Sequence, residues 1–583
     1  MTGPVDPYAL SVAGLLDGLG SLALPVWLAG NTLLIATIAW LVMRESFGRE
    51  PAASAVFLAA CLLLLLWARL PSVALSEFSN PDESFWIASA SALVENPSPW
   101  KTVDTTTGGP LVPVPVMITG LLAGSFGWGT ARVAAIGLWL LTIPFLYGAM
   151  VRRFKVRTAQ LGLLPIIVSA AFFANEWDFI SYNSEHVANL LLAIALFADV
   201  ILVTREKTDR DAMVPLLALG IALGATPWAK LQVAPIAAFY GVVRCAQLLR
   251  NGEVRSTITL AGSALIPTII VLVVVAATGV LSDFWQSYFA HTIHYATAGL
   301  EGMFGGEPVA LRTALVRYPI AVLRNVDVLP LVVATLGLAI VSSIAWVARH
   351  HRPTPVVLFA AALVVTAGWT TIQTREVFGH YLLLLFVPLT FLNAALIDPF
   401  TSIRDGSSRP IPNSVARFVL AFVVFAFLVP AALLMTVRNR AFNEATRPVT
   451  PASVMPAAVA VIDSLTQPGD RVAIWGWASP LWIASRTLPG TRDVHTARQL
   501  MPGDMQPYFI NRFARDLDER QPILFVDAVA RISHFSDVDR YGFHNYKPVA
   551  EIVQRDYTLV GEADDVRIYV RRTVRNQRAN GRS

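Results

Sequence analysis

Long apolar runs separated by short polar stretches fill the chain up to residue 437. A helix of about 20 apolar residues crosses the hydrocarbon core of a bilayer, so such runs predict membrane spans. About twelve spans are expected on this criterion. They lie at 21–43, 53–70, 128–151, 158–176, 186–203, 213–229, 231–249, 257–281, 327–348, 355–373, 380–397 and 416–437. The pattern therefore predicts a polytopic α-helical membrane protein.

Two apolar stretches depart from this simple pattern. Only Lys230 separates the spans 213–229 and 231–249, and it indicates a break between two helices at the membrane surface. The stretch 110–124, PLVPVPVMITGLLAG, contains prolines that interrupt helical hydrogen bonding. An interfacial position is favoured for this stretch over a span.

The composition changes after residue 437, where charged residues and strand-like runs appear. The runs DRVAIWGW, PILFVDAV and DVRIYVRR are typical of strands, and helix-like segments lie between them. The predicted organisation is a transmembrane domain over 1–437, a soluble α/β domain over 438–570 and a basic disordered tail over 571–583.

Loop charge predicts the orientation of the spans. Basic loops stay in the cytoplasm, and four of them alternate with less basic loops: Arg152–Arg157, Thr204–Arg210, Arg250–Arg255 and Arg349–Arg352. We therefore expect the two large loops 71–127 and 282–326, the α/β domain and both termini to be extracytoplasmic.

Composition excludes several other classes. Of the 583 residues 55% are hydrophobic and 15% are charged, whereas soluble domains carry about a quarter of charged residues. The net charge of +5 belongs mostly to short loops and the tail, so no nucleic-acid partner is expected. Cys61 and Cys245 both lie in predicted spans, which leaves no structural disulfide for an extracytoplasmic domain.

Carboxylates at the predicted outer face are the first candidates for chemistry. Asp82 and Glu83 open the segment ESFWIASASALV, which is predicted to form an amphipathic helix beside the membrane. Glu185 begins another span at the same face. An ionisable group at the end of a span is a functional hypothesis. The alternative for Asp82 and Glu83 is that they cap their helix, and the alternative for Glu185 is that Asn183 or Ser184 caps the helix there.

Basic and aromatic residues at the same face are candidates for binding an anion. Lys230 and Arg375 carry charges suited to a phosphate, and His380 and Tyr381 follow Arg375 at the start of a span. A snorkelling lysine and an interfacial belt of aromatic and basic residues are the alternatives.

His291 and His294 are the weak candidates for a metal site. Their spacing of three places both imidazoles on one helix face, but two histidines without a third ligand do not define a metal centre. No cofactor is therefore required, although a divalent metal ion stays an alternative. No phosphate-loop or dinucleotide fingerprint occurs in the sequence, so no nucleotide site is expected.

The order of several motifs resembles the bacterial GT-C glycosyltransferases of the protein O-mannosyltransferase and lipid A aminoarabinose transferase type. The resemblance covers most of residues 70–397 and rests on PDESFWIASASAL, TTTGGPLVPVPV, GWGTARVAAIGLWLL, SYNSEHVANLLL, WAKLQVAP and GHYLLLLFVPL. It implies a GT-C-like transmembrane domain in the bacterial inner membrane, with an extracytoplasmic α/β domain. The aminoarabinose transferases have a basic-proline motif where this chain has TTGGPL, so lipid A is not implied as the acceptor.

The resemblance also implies a reaction and roles for individual residues. A polyprenyl-phosphate-linked sugar would be the donor, and a hydroxyl of a glycan, lipid or protein would be the acceptor. Asp82 would be the catalytic base, Glu185 would occupy the second acidic position, and Lys230 and Arg375 would contact the phosphate. A phosphate already leaves readily, so a single base suffices for an inverting displacement.

Other functional classes compete with this expectation. A secondary transporter or lipid flippase usually shows repeated halves and sites near the bilayer midplane, whereas these charges cluster at one face. A non-catalytic scaffold that presents the α/β domain would leave Asp82, Glu185 and Lys230 without a role.

Overall fold

The computed structural model consists of a large helical domain and a small α/β domain. It describes residues 6–44, 51–74, 80–173, 176–204, 213–303, 307, 309–349, 352–376, 378–401, 413–445, 455–529 and 535–574. The predicted basic tail falls mostly outside the described residues.

The helices of the membrane domain include the predicted apolar runs and further helices in the regions between and before them. They are α1 (Pro7–Leu19), α2 (Ala23–Met43), α3 (Pro51–Ala74), α4 (Pro81–Glu95), α5 (Pro113–Ala123), α6 (Trp128–Arg153), α7 (Val156–Ala171), α8 (Ser184–Thr204), α9 (Met213–Ala229), α10 (Ala234–Arg250), α11 (Val254–Thr278), α12 (Leu281–Phe284), α13 (His291–Met303), α14 (Leu311–Arg324), α15 (Leu329–Arg349), α16 (Pro355–Ile372), α17 (Phe386–Thr401) and α18 (Asn413–Ala445). Short 3-10 or π turns join several of them, at Gly20–Leu22, Glu176–Ile180, Leu231–Val233, Trp285–Ala290 and Gly379–Leu385.

The expectation of a polytopic membrane protein is confirmed. Ten helices of the described ranges are long and apolar enough to cross a membrane. The other two predicted spans form the shorter helices α7 and α9, of 16 and 17 residues. The proline-rich stretch forms α5, whose 11 residues extend only about 16 Å and are too short to span a bilayer.

The segment Gly379–Thr401 lies at the centre of the helical domain. It combines a 3-10 turn with α17, and every residue of its apolar window is buried. Helix α17 packs against α7 and α16, while α8 packs between α6 and α9. The 3-10 turn at the start of the segment is therefore held from all sides, which fixes the side chains that it carries.

The prediction that the helix after Asp82 is amphipathic is wrong. Nearly all of α4 is buried, including residues on every side of the helix. One side packs on α5 and α6, and the α/β domain covers another. Ser479 of that domain donates a hydrogen bond from its Oγ to the carbonyl of Pro81 at 3.0 Å. Because α4 is covered by the membrane domain on one side and by the α/β domain on another, it has no broad polar face towards solvent or membrane.

The α/β domain contains a five-stranded sheet. Its helices are α19 (Pro456–Leu465), α20 (Pro480–Ala484), α21 (Gln506–Arg520), α22 (Val538–Tyr541) and α23 (Lys547–Asp556), with a 3-10 turn at Phe543–Asn545. Its strands are β1 (Arg471–Trp475), β2 (Leu488–Pro489), β3 (Leu524–Asp527), β4 (Tyr557–Ala563) and β5 (Val566–Arg571). The order is β2-β1-β3-β5-β4, with β1, β2 and β3 parallel and both pairings of β5 antiparallel.

Two boundaries differ from the sequence prediction. Helix α18 continues to Ala445, beyond the predicted limit at residue 437, and the first element of the α/β domain begins at Pro456. All three predicted strands are present. The sequence did not reveal β2, which has two residues, or β4, whose burial is low along most of its length.

Candidate active site

Asp82 lies in the first turn of α4. The helix is capped by Asn80, whose Oδ1 accepts the backbone N–H of Asp82 at 2.8 Å, and Pro81 occupies the first helical position. Asn80 therefore performs the capping that was the alternative role for the acidic pair. The half-buried Asp82 forms no ion pair with a basic side chain in the part of the chain that the structure describes.

Glu83 points into different surroundings from Asp82. Successive residues of a helix are about 100° apart, so neighbouring side chains face different partners. The Glu83 Oε1 accepts the backbone N–H of Tyr182 at 2.9 Å, and its Oε2 lies 3.3 Å from Nη2 of Arg132. Both side chains of this ion pair are completely buried. This geometry favours a positioning role for Glu83, which anchors α4 to α6 and to the start of α8.

Lys230 stands in a break between α9 and the 3-10 turn, as predicted. Its backbone is extended and pairs with Gly108, while the N–H of Gly109 donates to the carbonyl of Ala229 at 3.0 Å. A Cβ on Gly109 would lie 1.7 Å from the carbonyl oxygen of Trp228. The glycines of TTGGPL therefore let two loop segments pack closely, and this contact holds the lysine in place.

The ammonium of Lys230 is buried and forms an ion pair with Glu185. It also lies 4.0 Å from the ring centroid of Tyr381, within the range of a cation–π interaction. The snorkelling alternative for Lys230 is thus wrong, because the side chain points to a buried carboxylate. Glu185 has the Ser184 hydroxyl as a second partner at 3.1 Å.

His380 is held by a carboxylate that adjoins this pair. Its Nδ1 lies 3.0 Å from Oδ1 of Asp178, and His380 interacts electrostatically with Glu185. A Cβ on Gly379 would lie 2.3 Å from the other oxygen of Asp178, so a glycine is needed at that position. The carboxylate fixes the orientation of the imidazole next to Tyr381.

Two tyrosines connect Asp82 to the lysine. The hydroxyl oxygens of Tyr295 and Tyr381 are 3.5 Å apart, and Asp82 interacts electrostatically with both groups. Lys230 contacts the ring of the same Tyr381. The structure therefore brings five candidates from distant parts of the sequence to one place: Asp82, Glu185, Lys230, His380 and Tyr381. The sequence offered no signal for Tyr295, which lies on α13 outside any recognisable motif.

The Arg375 guanidinium has a partner outside this group. Arg375 adopts a left-handed backbone with φ of 60°, and its Nη1 donates to the carbonyl of Val309 at 3.2 Å. No contact joins it to Lys230 within the described residues. Its role in binding phosphate stays a prediction.

His291 and His294, the candidates for a metal site, lie on α13. His291 is buried, and its ring packs edge-on against Phe509 of the α/β domain with centroids 5.4 Å apart. Burial and the Arg498 guanidinium lower the pKa of His291 well below its usual value. No group of three potential metal ligands occurs among the described histidines, cysteines and acidic residues. These two histidines instead line the contact between the membrane domain and the α/β domain.

A buried ionic network joins the two domains. Asp104, in the first large loop, lies 2.7 Å from Arg498 and 2.6 Å from Arg512 of the α/β domain, and Asp493 pairs with both arginines. Burial alone would raise the pKa of Asp104, but the two guanidinium groups hold it well below its usual range. Arg512 also donates to the Ser287 hydroxyl at 2.6 Å. The α/β domain is therefore fixed against the two large loops that frame Asp82.

The comparison with known proteins shows a shared fold. No protein-family model matches the chain, and no curated protein matches it. The structure is similar to that of ArnT from Cupriavidus metallidurans bound to undecaprenyl phosphate, with a TM-score of 0.55 and 16% identity over 89% of this chain and 98% of that chain. The apo state of the same protein gives a TM-score of 0.49 and 15% identity over the same shares. AglB from Archaeoglobus fulgidus, in complex with an inhibitory peptide and a dolichol-phosphate, gives a TM-score of 0.43 and 12% identity over 85% of this chain and 72% of that chain. The likeness to undecaprenyl-phosphate-bound ArnT confirms the expected GT-C-like membrane fold.

Proposed function

We propose that this chain is a membrane glycosyltransferase that moves a sugar from a polyprenyl-phosphate donor to an acceptor hydroxyl. The observation that carries the proposal is that Asp82 and Lys230 act on the same tyrosine: Lys230 contacts the ring of Tyr381, and the Asp82 carboxylate influences its hydroxyl electrostatically. A carboxylate without an ion-pair partner suits a base, and a buried cation suits a leaving phosphate. The fold shared with ArnT, which was crystallised with undecaprenyl phosphate, supports a donor of this kind.

The reaction is a single displacement. The acceptor hydroxyl gives its proton to Asp82 as its oxygen forms a bond with the anomeric carbon of the donor sugar. The bond between that carbon and the phosphate oxygen breaks, and the phosphate leaves with both bonding electrons. Lys230 and the neighbouring His380 stabilise the negative charge that develops there. The configuration at the anomeric carbon is inverted.

Glu185 has a defined part in this scheme. Without a donor it neutralises the buried Lys230 ammonium, whose isolated charge would otherwise be costly in this environment. The donor phosphate takes over that neutralising role when it binds. Glu185 is therefore a positioning residue for the lysine, and Asp82 is the residue that touches the acceptor.

An apolar cavity supports a prenyl chain as part of the donor. Its volume is about 420 Å³, and it lies between α14, α15, α16 and the Gly379–Thr401 segment. Ile372 and Leu385 line it, and these two residues flank the segment that carries His380 and Tyr381. In this proposal the prenyl tail occupies the cavity and the phosphate binds Lys230.

The membrane location and orientation belong to the same proposal. A polyprenyl-phosphate sugar in the bacterial inner membrane would reach this site if the α/β domain is extracytoplasmic. The basic loops at the opposite ends of the spans support that orientation.

The test combines binding and transfer. We expect Asp82→Asn to bind undecaprenyl phosphate as the unmodified protein does, and to lose transfer by about 100-fold or more. Transfer is measured by mass spectrometry and linkage analysis, as restoration of the sugar that a deletion strain lacks on its glycans, lipids or proteins. Glu95→Gln is the control, since this exposed residue is at the other end of the same helix and contributes only a surface ion pair with Arg471. Full transfer by Asp82→Asn would refute the proposal.

A further inference from the structure

The loops that follow two parallel strands of the α/β domain contact the first two turns of α4, the helix that carries Asp82. Arg471, at the amino end of β1, pairs with Glu95 at the other end of this helix. Strands β1, β2 and β3 run in the same direction, so the loops that follow them emerge at one edge of the sheet. In open α/β sheets this edge is where ligands bind. The loop after β1 carries Trp477 and Ser479, and the loop after β2 carries His495.

This edge is in direct contact with α4. The hydroxyl of Ser479 donates to the carbonyl of Pro81, the residue before Asp82, at 3.0 Å. The His495 ring meets the Phe85 ring edge-on, with centroids 5.9 Å apart. Phe85 follows Asp82 by three residues, so the two side chains share one side of the helix. The binding edge of the domain and the candidate base thus face the same space.

His495 has the properties of a neutral hydrogen-bonding group in that space. Burial lowers the pKa of His495 to about 4, although the Asp82 carboxylate acts in the opposite direction. The imidazole is therefore neutral at pH 7 and has one donor and one acceptor nitrogen. Its Nδ1 is buried without a hydrogen-bond partner in the residues that the structure describes. Such a nitrogen costs free energy unless a ligand or water satisfies it.

A second aromatic ring, that of Trp477, lies close to the imidazole. The half-buried Trp477 has its ring centroid 5.0 Å from that of His495. Arg498, a cation of the same loop that acts electrostatically on His495, is already engaged with Asp104 and Asp493 at 2.7 and 3.1 Å. The site therefore combines a neutral polar group, an aromatic face and a carboxylate, and its cation is neutralised. This set suits a polyhydroxylated, uncharged ring better than an anion.

We propose that His495 and Trp477 form the acceptor subsite, and that the acceptor is a carbohydrate whose hydroxyl groups bind His495 while its ring packs on Trp477. This inference rests on the proposed glycosyltransferase function and extends it. One hydroxyl of the acceptor binds the imidazole, which orients a neighbouring hydroxyl so that its proton passes to Asp82. The α/β domain is then a working part of the active site, and its ionic attachment to the large loops sets the position of the acceptor.

The experiment measures transfer by the purified, full-length protein. The lipid extract of a deletion strain supplies the donor, and the isolated envelope glycan of the same strain is titrated as the acceptor. His495→Phe keeps a ring against Phe85 and removes the hydrogen bond, whereas His495→Asn keeps a polar group near the position of Nδ1. Trp477→Leu removes the aromatic face. His544→Asn is the matched control, because this histidine of the same domain is exposed.

We expect His495→Phe and Trp477→Leu to raise the KM for the glycan at least tenfold, with kcat changed less than threefold. The KM of His495→Asn should be closer to that of the unmodified protein than the KM of His495→Phe is. Undecaprenyl phosphate should bind all variants equally. An unchanged KM in both His495→Phe and Trp477→Leu would overturn the acceptor subsite. A product whose sugar is attached to protein Ser or Thr, or to a lipid headgroup, would also overturn it. If Asp82→Asn still transfers in this assay, the glycosyltransferase proposal itself fails, which is a separate result.

Discussion

The ammonium of Lys230 and the carboxylate of Glu185 form an ion pair that is almost entirely shielded from solvent. The pair joins the start of α8 to the break after α9, beneath the ring of Tyr381. A donor phosphate that binds to the lysine must compete with this carboxylate. The strength of donor binding therefore depends on both partners of the pair.

Lys230→Ala should weaken binding of undecaprenyl phosphate at least tenfold. It also leaves Glu185 buried without its partner, and removing one member of a buried pair costs roughly 3–5 kcal/mol of stability. The double variant Lys230→Ala/Glu185→Gln should recover thermal stability without recovering binding. Binding is measured by titration of the reconstituted protein, and stability by thermal unfolding in detergent.

The single variant Glu185→Gln tests whether this carboxylate competes with the donor phosphate for Lys230. The phosphate no longer has to displace a competing anion, so undecaprenyl phosphate should bind more tightly than it binds to the unmodified protein. Weaker binding by Glu185→Gln, or unchanged binding by Lys230→Ala, would contradict the phosphate site.

Glu83→Ala should destabilise the protein far more than Asp82→Ala does. The Glu83 carboxylate neutralises Arg132 in a fully buried pair, so its removal leaves a buried cation and costs on the order of 3–5 kcal/mol. Asp82 has no such partner, and its loss should affect transfer and leave the melting temperature nearly unchanged. Thermal unfolding of the two variants, side by side, checks this difference. Equal melting temperatures would show that the buried pair does not hold α4.

The different surroundings of Asp82 and Glu83 could not be predicted from the sequence. The acidic pair, the break at Lys230 and the span pattern were visible in the sequence, because they depend on local composition and helical periodicity. Which carboxylate faces the site depends on the rotation of α4 against Arg132, a contact with a helix some 50 residues away. His495 and Tyr295 carry no local signal, since they become neighbours of Asp82 only through the packing of separate segments.

A reporter at Thr204 and a reporter at Ser583 should give opposite sides of the membrane. Helix α8 begins at Ser184, next to the Glu185 that meets the candidate site, and ends at Thr204 after 21 residues. The α/β domain lies at the beginning of this helix, through its contacts with α4. Fusions to alkaline phosphatase and to a fluorescent protein at each position measure the sides. The same side for both positions would refute the orientation.

Acidification should loosen the contact between the α/β domain and the membrane domain between pH 6.5 and 4. Burial lowers the pKa of His495 to about 4 from 6.5, so the unfolded or detached state binds more protons in this interval. The contribution of neutral His495 to the stability of the contact is complete above pH 6.5 and is lost as the pH falls towards 4. One pKa unit corresponds to about 1.4 kcal/mol, so the loss is on the order of 3 kcal/mol for this group. His291 acts in the same direction because its pKa is also lowered.

Asp104 differs from the histidines in the pH range over which it affects the contact between the domains. Its pKa is held far below the usual range, so its contribution is present above about pH 4 and is lost only in stronger acid. Hydrogen exchange of residues 490–505, measured from pH 7 to pH 4.5 and corrected for the intrinsic pH dependence of exchange, should show increasing opening in the unmodified protein. The same change should be smaller in His495→Asn, whose side chain does not titrate. Asp104→Asn should instead open the contact at every pH, because Arg498 and Arg512 then lack a buried partner. A pH dependence that His495→Asn does not reduce would show that His495 is not the titrating group.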